Sequence, residues 1–74
     1  MQLCDLKIGN SAYIKEINLE STSRVRLSEL GLIKGTKVTN VLKNNGINAY
    51  KFRNTLIAIR NCDASNILIG DVND

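Results

Sequence analysis

The chain has 74 residues, 43% of them hydrophobic and 23% charged, which bounds it to one small globular domain. Its longest aliphatic run, Leu56-Ile57-Ala58-Ile59, falls far short of the ~20 apolar residues of a membrane-spanning helix. Met1-Gln2-Leu3-Cys4-Asp5 lacks the basic-then-apolar pattern of a secretory signal, so a cytoplasmic location is expected. The net charge of +3 is unevenly placed: residues 24 to 60 carry +7, whereas residues 1 to 23 carry −1 and residues 61 to 74 carry −3.

In chain order, the first expected strand holds Ala12 and Ile14, which alternate with Tyr13 and Lys15. Ile17 is out of phase with them, so a bulge or bend near Lys15-Glu16 is expected to return it to the core. A two-turn helix is predicted over Arg24 to Leu30, capped by one of Ser21, Thr22 or Ser23, with Leu27 and Leu30 on one face. Gly31 suits the left-handed cap that ends it, and Leu32 then falls where it would touch Leu27 across the turn.

Lys37 to Lys43 reads as a second strand, with Val38 and Leu42 on one face and Val41 on the other. In a third, Asn48, Tyr50 and Phe52 alternate with Ala49, Lys51 and Arg53, and a fourth, Thr55 to Arg60, turns Ile57 and Ile59 inward. Asn45-Gly46 between the second and third supplies the two positive-φ positions of a type I′ hairpin, and Asn54 suits a second hairpin. A further helical turn is expected at Asn61 to Ala64 with Asn61 as its cap, followed by a fifth strand from Ile67 to Ile69. The pattern predicts a mostly β fold, a small five-stranded barrel with one short helix after the first strand, closed so that no sheet edge is left.

Catalytic signals are missing. There is no histidine, the seven acids form no carboxylate pair, and no glycine-rich phosphate loop occurs, so no catalytic residue is assigned and an enzyme is not expected. Cys4 and Cys62 lie at opposite ends with no CxxC spacing, which gives no metal site and calls for no cofactor. Both are expected as small buried hydrophobes kept reduced, with a bridge between them left open.

The order Leu3, Leu6, Gly9, Ala12, Ile14, Ile17, then Arg26-Leu27, Leu30-Gly31-Leu32, Gly35-Thr36 and Val38, then Ile57-Ala58-Ile59-Arg60, Ala64, Ile67 and Ile69, resembles the ferrous iron transport protein A (FeoA) family over essentially the whole chain. The resemblance implies an SH3-like barrel that accompanies FeoB, the membrane ferrous iron permease, and modulates uptake by protein contact. Lys34 stands where the family usually has the proline of a type II turn, with Gly35 supplying the positive φ. Asn54 replaces the usual glycine and Asp63 the usual glutamate.

Candidate partner-binding residues are Tyr13, Arg24, Arg26, Leu27, Leu30 and Leu32. Core packing is favoured for Leu27 and Leu30, because a two-turn helix needs packing to persist, and an Arg26–Glu29 ion pair is the plain alternative for Arg26. The structural turn and cap set is Gly31, Gly35, Asn45, Gly46 and Asn54. Tyr50 and Phe52, interleaved with Lys51 and Arg53, also allow an alternative reading as a small-barrel RNA-binding protein, although these rings are expected to fill the core and no nucleic-acid partner is expected. Oligomerisation is left open, with Leu68 as a candidate contact.

Overall fold

The alternation of apolar and polar residues is realised as five antiparallel strands in a computed structural model that describes residues 1–73. A 3-10 turn at Leu3–Asp5 precedes β1 (Ser11–Ile17), α1 (Ser21–Leu30), β2 (Lys37–Asn44), β3 (Ile47–Phe52), β4 (Thr55–Arg60), α2 (Asn61–Ala64) and β5 (Ile67–Asn73). The strand order is β4-β3-β2-β1-β5. No β4–β5 ladder closes the sheet among the described residues, so the expected edge-free closure is corrected. The free side of β5 is instead covered by the N-terminus, where Gln2 bridges Leu68 and the Ile69 amide donates to the Met1 carbonyl at 2.8 Å. That cover leaves Leu68 half-buried. β5 runs past the expected Ile69 because the sheet pairing overrides the turn preference of Gly70, Asp71 and Asn73.

The core gathers Leu3, Leu6, Ala12, Ile14, Leu27, Leu32, Val38, Tyr50, Phe52, Ile59, Ala64, Ile67 and Ile69. Register shifts in the β1–β5 ladder flank Ile14 and set the bend near Lys15 and Glu16, and Ile17 beyond it packs against this cluster. β2 behaves differently from its expected alternation. A register shift between Asn40 and Leu42 leaves Leu42 53% exposed and puts Asn40 in the core position. Asn40 is tolerated there because its amide donates to the Leu6 carbonyl at 2.7 Å while its Oδ1 accepts from the Leu42 amide at 3.2 Å.

Tyr50 closes a second buried polar link. Its hydroxyl donates to the Leu3 carbonyl at 3.2 Å and accepts from Asn48 Nδ2 at 3.1 Å, tying the N-terminal segment to the sheet. Asn48 Nδ2 also reaches Asn61 Oδ1 at 2.8 Å, so the Asn61 side chain is engaged here and does not cap α2, whose N-cap is Arg60. Burial pushes the Tyr50 hydroxyl above its ordinary value of 10.0, opposed by the Asn48 hydrogen bond and reinforced by nearby Cys4. Above about pH 10 the unfolded chain ionises this tyrosine while the folded chain keeps its proton, so the folded state binds more protons and stability falls as pH rises. The expected result is an alkaline loss of urea stability above about pH 10 that is smaller in Tyr50→Phe, despite that variant's lower baseline from the lost hydroxyl bond; the Leu3 carbonyl still accepts from the Leu6 amide at 3.1 Å, so the cost is ~0.5–1.5 kcal/mol.

The type I′ geometry expected at the first hairpin is found at the second, where Asn54 is left-handed as expected. At Asn45-Gly46 only Gly46 has positive φ (79°), as a type II turn requires, and the Asn45 amide is held by Asn44 Oδ1 at 2.8 Å. The pair of positive φ values that a type I′ turn demands occurs instead at Arg53 (48°) and Asn54 (63°). Asn54 tolerates this conformation, but an arginine there carries roughly 1–2 kcal/mol of backbone strain. Cys62 is exposed and Cys4 half-buried, both as free thiols, which corrects the expectation of two buried hydrophobes.

Candidate functional site

The helix and its exit build a groove against β1. α1 begins three residues earlier than expected, at Ser21, with Glu20 at the N-cap and no side-chain cap bond; the Ser23 hydroxyl donates to Glu20 Oε1 instead. It ends at Gly31, whose φ is 103°. The Gly31 amide donates to the Ser28 carbonyl at 3.0 Å and the Leu32 amide to the Leu27 carbonyl at 2.9 Å, the paired bonds of a Schellman ending. Leu27 and Leu32 are both buried, so this closure pins the helix to the core.

The chain then turns through Ile33-Lys34-Gly35-Thr36, with Gly35 at φ 92° and the Thr36 amide donating to the Ile33 carbonyl at 3.0 Å. Thr36 is buried and its hydroxyl works in both directions, donating to the Gly31 carbonyl at 3.0 Å and accepting from the Ile33 amide at 3.1 Å. The Gly35 amide donates to the Ile14 carbonyl at 2.7 Å, and the Ile14 amide to the Thr36 carbonyl at 2.9 Å. These bonds set the Ile33-Lys34 turn beside the β1 bend.

The result is a groove of about 670 Å³ lined by Lys15, Glu16, Ile17, Arg24, Val25, Ser28, Ile33 and Lys34. Ile17, Val25 and Ile33 supply an aliphatic surface, with Val25 54% and Ile33 44% exposed. Lys15, Arg24 and Lys34 stand around it against one acid, Glu16, and none of the four is in an ion pair among the described residues. Ser28 offers little to a ligand, because its hydroxyl already donates to the Val25 carbonyl at 2.7 Å. Such a groove can desolvate apolar side chains and attract negative charge.

Of the candidate residues, Arg24 lines this groove. Arg26 lies beside a separate shallow cleft with Ser21, Thr22, Val25 and Glu29, and forms no ion pair with Glu29 among the described residues. Tyr13 is exposed on the outer face of the sheet, away from both. Leu27 and Leu32 are inside the protein and unavailable to a partner, a correction to their place in that set. Leu30 departs from its expected core position and is 46% exposed, because Gly31 turns the chain before that side of the helix reaches the sheet. Tyr50 and Phe52 are buried, so the stacking surface of the RNA-binding alternative is not formed by them.

The sequence alone does not mark Ile17, Val25, Ile33, Lys15 and Lys34 as groove residues. Val25 and Ile33 carried the one available signal, being aliphatic residues off the Leu27 face of a helix and in a turn. No group of three or more His, Cys, Asp or Glu converges among the described residues, and no helix there is long and apolar enough to cross a membrane.

The FeoA domain family model matches residues 1–70. Among solved structures, the chain is similar to the FeoA protein of Chlorobium tepidum, with 28% identity and a TM-score of 0.87 over 93% of this chain and 68% of that one. It is also similar to FeoA of Stenotrophomonas maltophilia in complex with zinc, with 26% identity and a TM-score of 0.78 over 95% of this chain and 89% of that one. That protein is described as a prokaryotic SH3-domain protein proposed to act as a ferrous iron transport activating factor. Iron(II) transport protein A of Clostridium thermocellum superposes with a TM-score of 0.83 at 25% identity, over 93% of this chain and 44% of that one. No match was found among curated protein sequences. With its five-stranded SH3-like sheet and a family match over nearly its full length, this chain belongs to the FeoA domain family.

Proposed function

We propose that the chain is an accessory factor of ferrous iron uptake that docks on the cytoplasmic side of the FeoB permease and modulates transport by contact, with no reaction of its own. The observation that carries this reading is the groove between α1 and β1, where Ile17, Val25 and Ile33 are left uncovered inside a rim of Lys15, Arg24 and Lys34. An apolar surface held open at the cost of hydration is a feature of contact sites, and its cationic border selects a partner segment that is aliphatic and acidic.

The test joins transport to capture. Deleting the protein should alter ferrous iron uptake by cells, and the tagged chain should recover the FeoB permease from detergent-solubilised membranes whether or not nuclease is added. Uptake that stays unchanged in the deletion strain, or permease recovery that vanishes with nuclease, would defeat the proposal.

A further inference from the structure

The outer face of β1, β2 and β3 holds a second arrangement that the transport reading leaves unused. Tyr13 sits directly across from Lys37 in the β1–β2 ladder, and Thr39 directly across from Lys51 in the β2–β3 ladder. Paired residues on one sheet face have Cβ atoms about 4.5–5.5 Å apart, and residues two apart along a strand return to the same face. Lys37, Lys51 and the Arg53 turn therefore converge on one patch, around a tyrosine that is 44% exposed. They line a cleft of about 600 Å³ together with Gly35, Thr36, Thr39, Phe52 and Asn54, and no acid appears in its lining as described.

Two properties of this patch run against stability. Like charges crowded on one sheet face repel, and none of Lys37, Lys51 and Arg53 has an ion-pair partner among the described residues. Arg53 also holds a left-handed backbone (φ 48°) that asparagine or glycine would adopt at less cost. Its side chain lies against Gly31 at the end of α1 through both Cδ and a guanidinium nitrogen, which fixes the arginine at the helix end beside the cleft. Two strand lysines without ion pairs among the described residues, beside an arginine on a strained turn, are accounted for when an anion completes the site.

We propose that this face of the sheet, with Lys37, Lys51 and Arg53 around Tyr13, binds a nucleoside polyphosphate. Three cations match the charge of a di- or triphosphate, and the exposed phenol ring offers a surface for the base. The cleft lies within the range of about 300–1,000 Å³ of small-ligand sites. A single exposed aromatic in a short cleft suits one base better than the run of stacking platforms that single-stranded nucleic acid uses.

The experiment titrates ATP, inorganic triphosphate and a short single-stranded oligonucleotide into the isotope-labelled full chain, following amide shifts and calorimetry. ATP should bind at up to about 5 mM with shifts centred on Tyr13, Lys37, Lys51 and Arg53. The Lys37→Gln/Lys51→Gln variant should weaken binding at least roughly tenfold. Tyr13→Ala should weaken ATP while leaving inorganic triphosphate unchanged. Arg53→Asn separates a binding role from a structural one, because it should raise the melting temperature while lowering ATP affinity.

Absence of saturable ATP shifts at this face, or equal binding by the double glutamine variant, would overturn the assignment. So would an oligonucleotide that binds more tightly than ATP per phosphate, since that result marks a nucleic-acid surface.

Discussion

Leu32→Ala is expected to lower folding stability by about 2–5 kcal/mol, a large share of the roughly 5–15 kcal/mol that holds a typical domain together. Leu32 is fully buried and follows the left-handed Gly31, so its side chain is what the Schellman ending drives into the core beside Leu27. Removing it leaves a cavity in the core where the end of α1 is fastened. A ten-residue helix has little stability without such packing, so helix fraying should accompany the loss. Urea titration should show a lower midpoint, and thermal melts should shift down by about 4–8 °C for each kcal/mol lost. Leu30→Ala is the control: two residues earlier but exposed, it should change stability by no more than about 0.5 kcal/mol. Equal costs for the two leucines would refute this account of how the helix is held.

The contrast between Leu30 and Leu32 also shows how far the sequence could be read. Local chemistry with one dominant solution was legible: the alternation of Tyr50 and Phe52 with Lys51 and Arg53 gives a strand whose rings turn inward, and Asn54 stands at a positive φ. Where two solutions compete, tertiary pairing decides. The register shift after Asn40 exchanges an expected apolar position for a buried amide, which the distant Leu6 carbonyl and the Leu42 amide together make tolerable. Arg53 in a left-handed turn has no sequence signal at all, because the intrinsic preference of arginine points elsewhere.

The groove was legible in even smaller part. Arg24 could be placed on an exposed helix side from the sequence. Its neighbours Lys15, Ile17, Ile33 and Lys34 come from a strand bend and a turn brought together by the Gly35–Ile14 and Ile14–Thr36 hydrogen bonds. Thr36, which binds the helix end to that turn with one buried hydroxyl, looks like an ordinary turn residue until those partners are seen.

Reversing Arg24 and Lys34 to glutamate together is expected to abolish permease capture and bring ferrous iron uptake to the level of the deletion strain. The groove's four charged residues, Lys15, Arg24, Lys34 and Glu16, sum to +2 and the double substitution takes them to −2. Attraction for an acidic segment thereby becomes repulsion, and at least roughly a tenfold loss of affinity should follow. Arg24 and Lys34 are exposed and in no ion pair among the described residues, so the melting temperature should scarcely move. Val25→Asp, which puts charge on the aliphatic surface, should give the same loss of capture through a different term. Lys7→Glu, an exposed cation outside the groove, should leave capture intact. Raising salt from about 50 to 500 mM should weaken the wild-type complex by shortening the range of the cationic rim, and should have less effect on what remains in the double variant. Uptake that survives both the charge reversal and Val25→Asp would overturn the groove between α1 and β1 as the docking site.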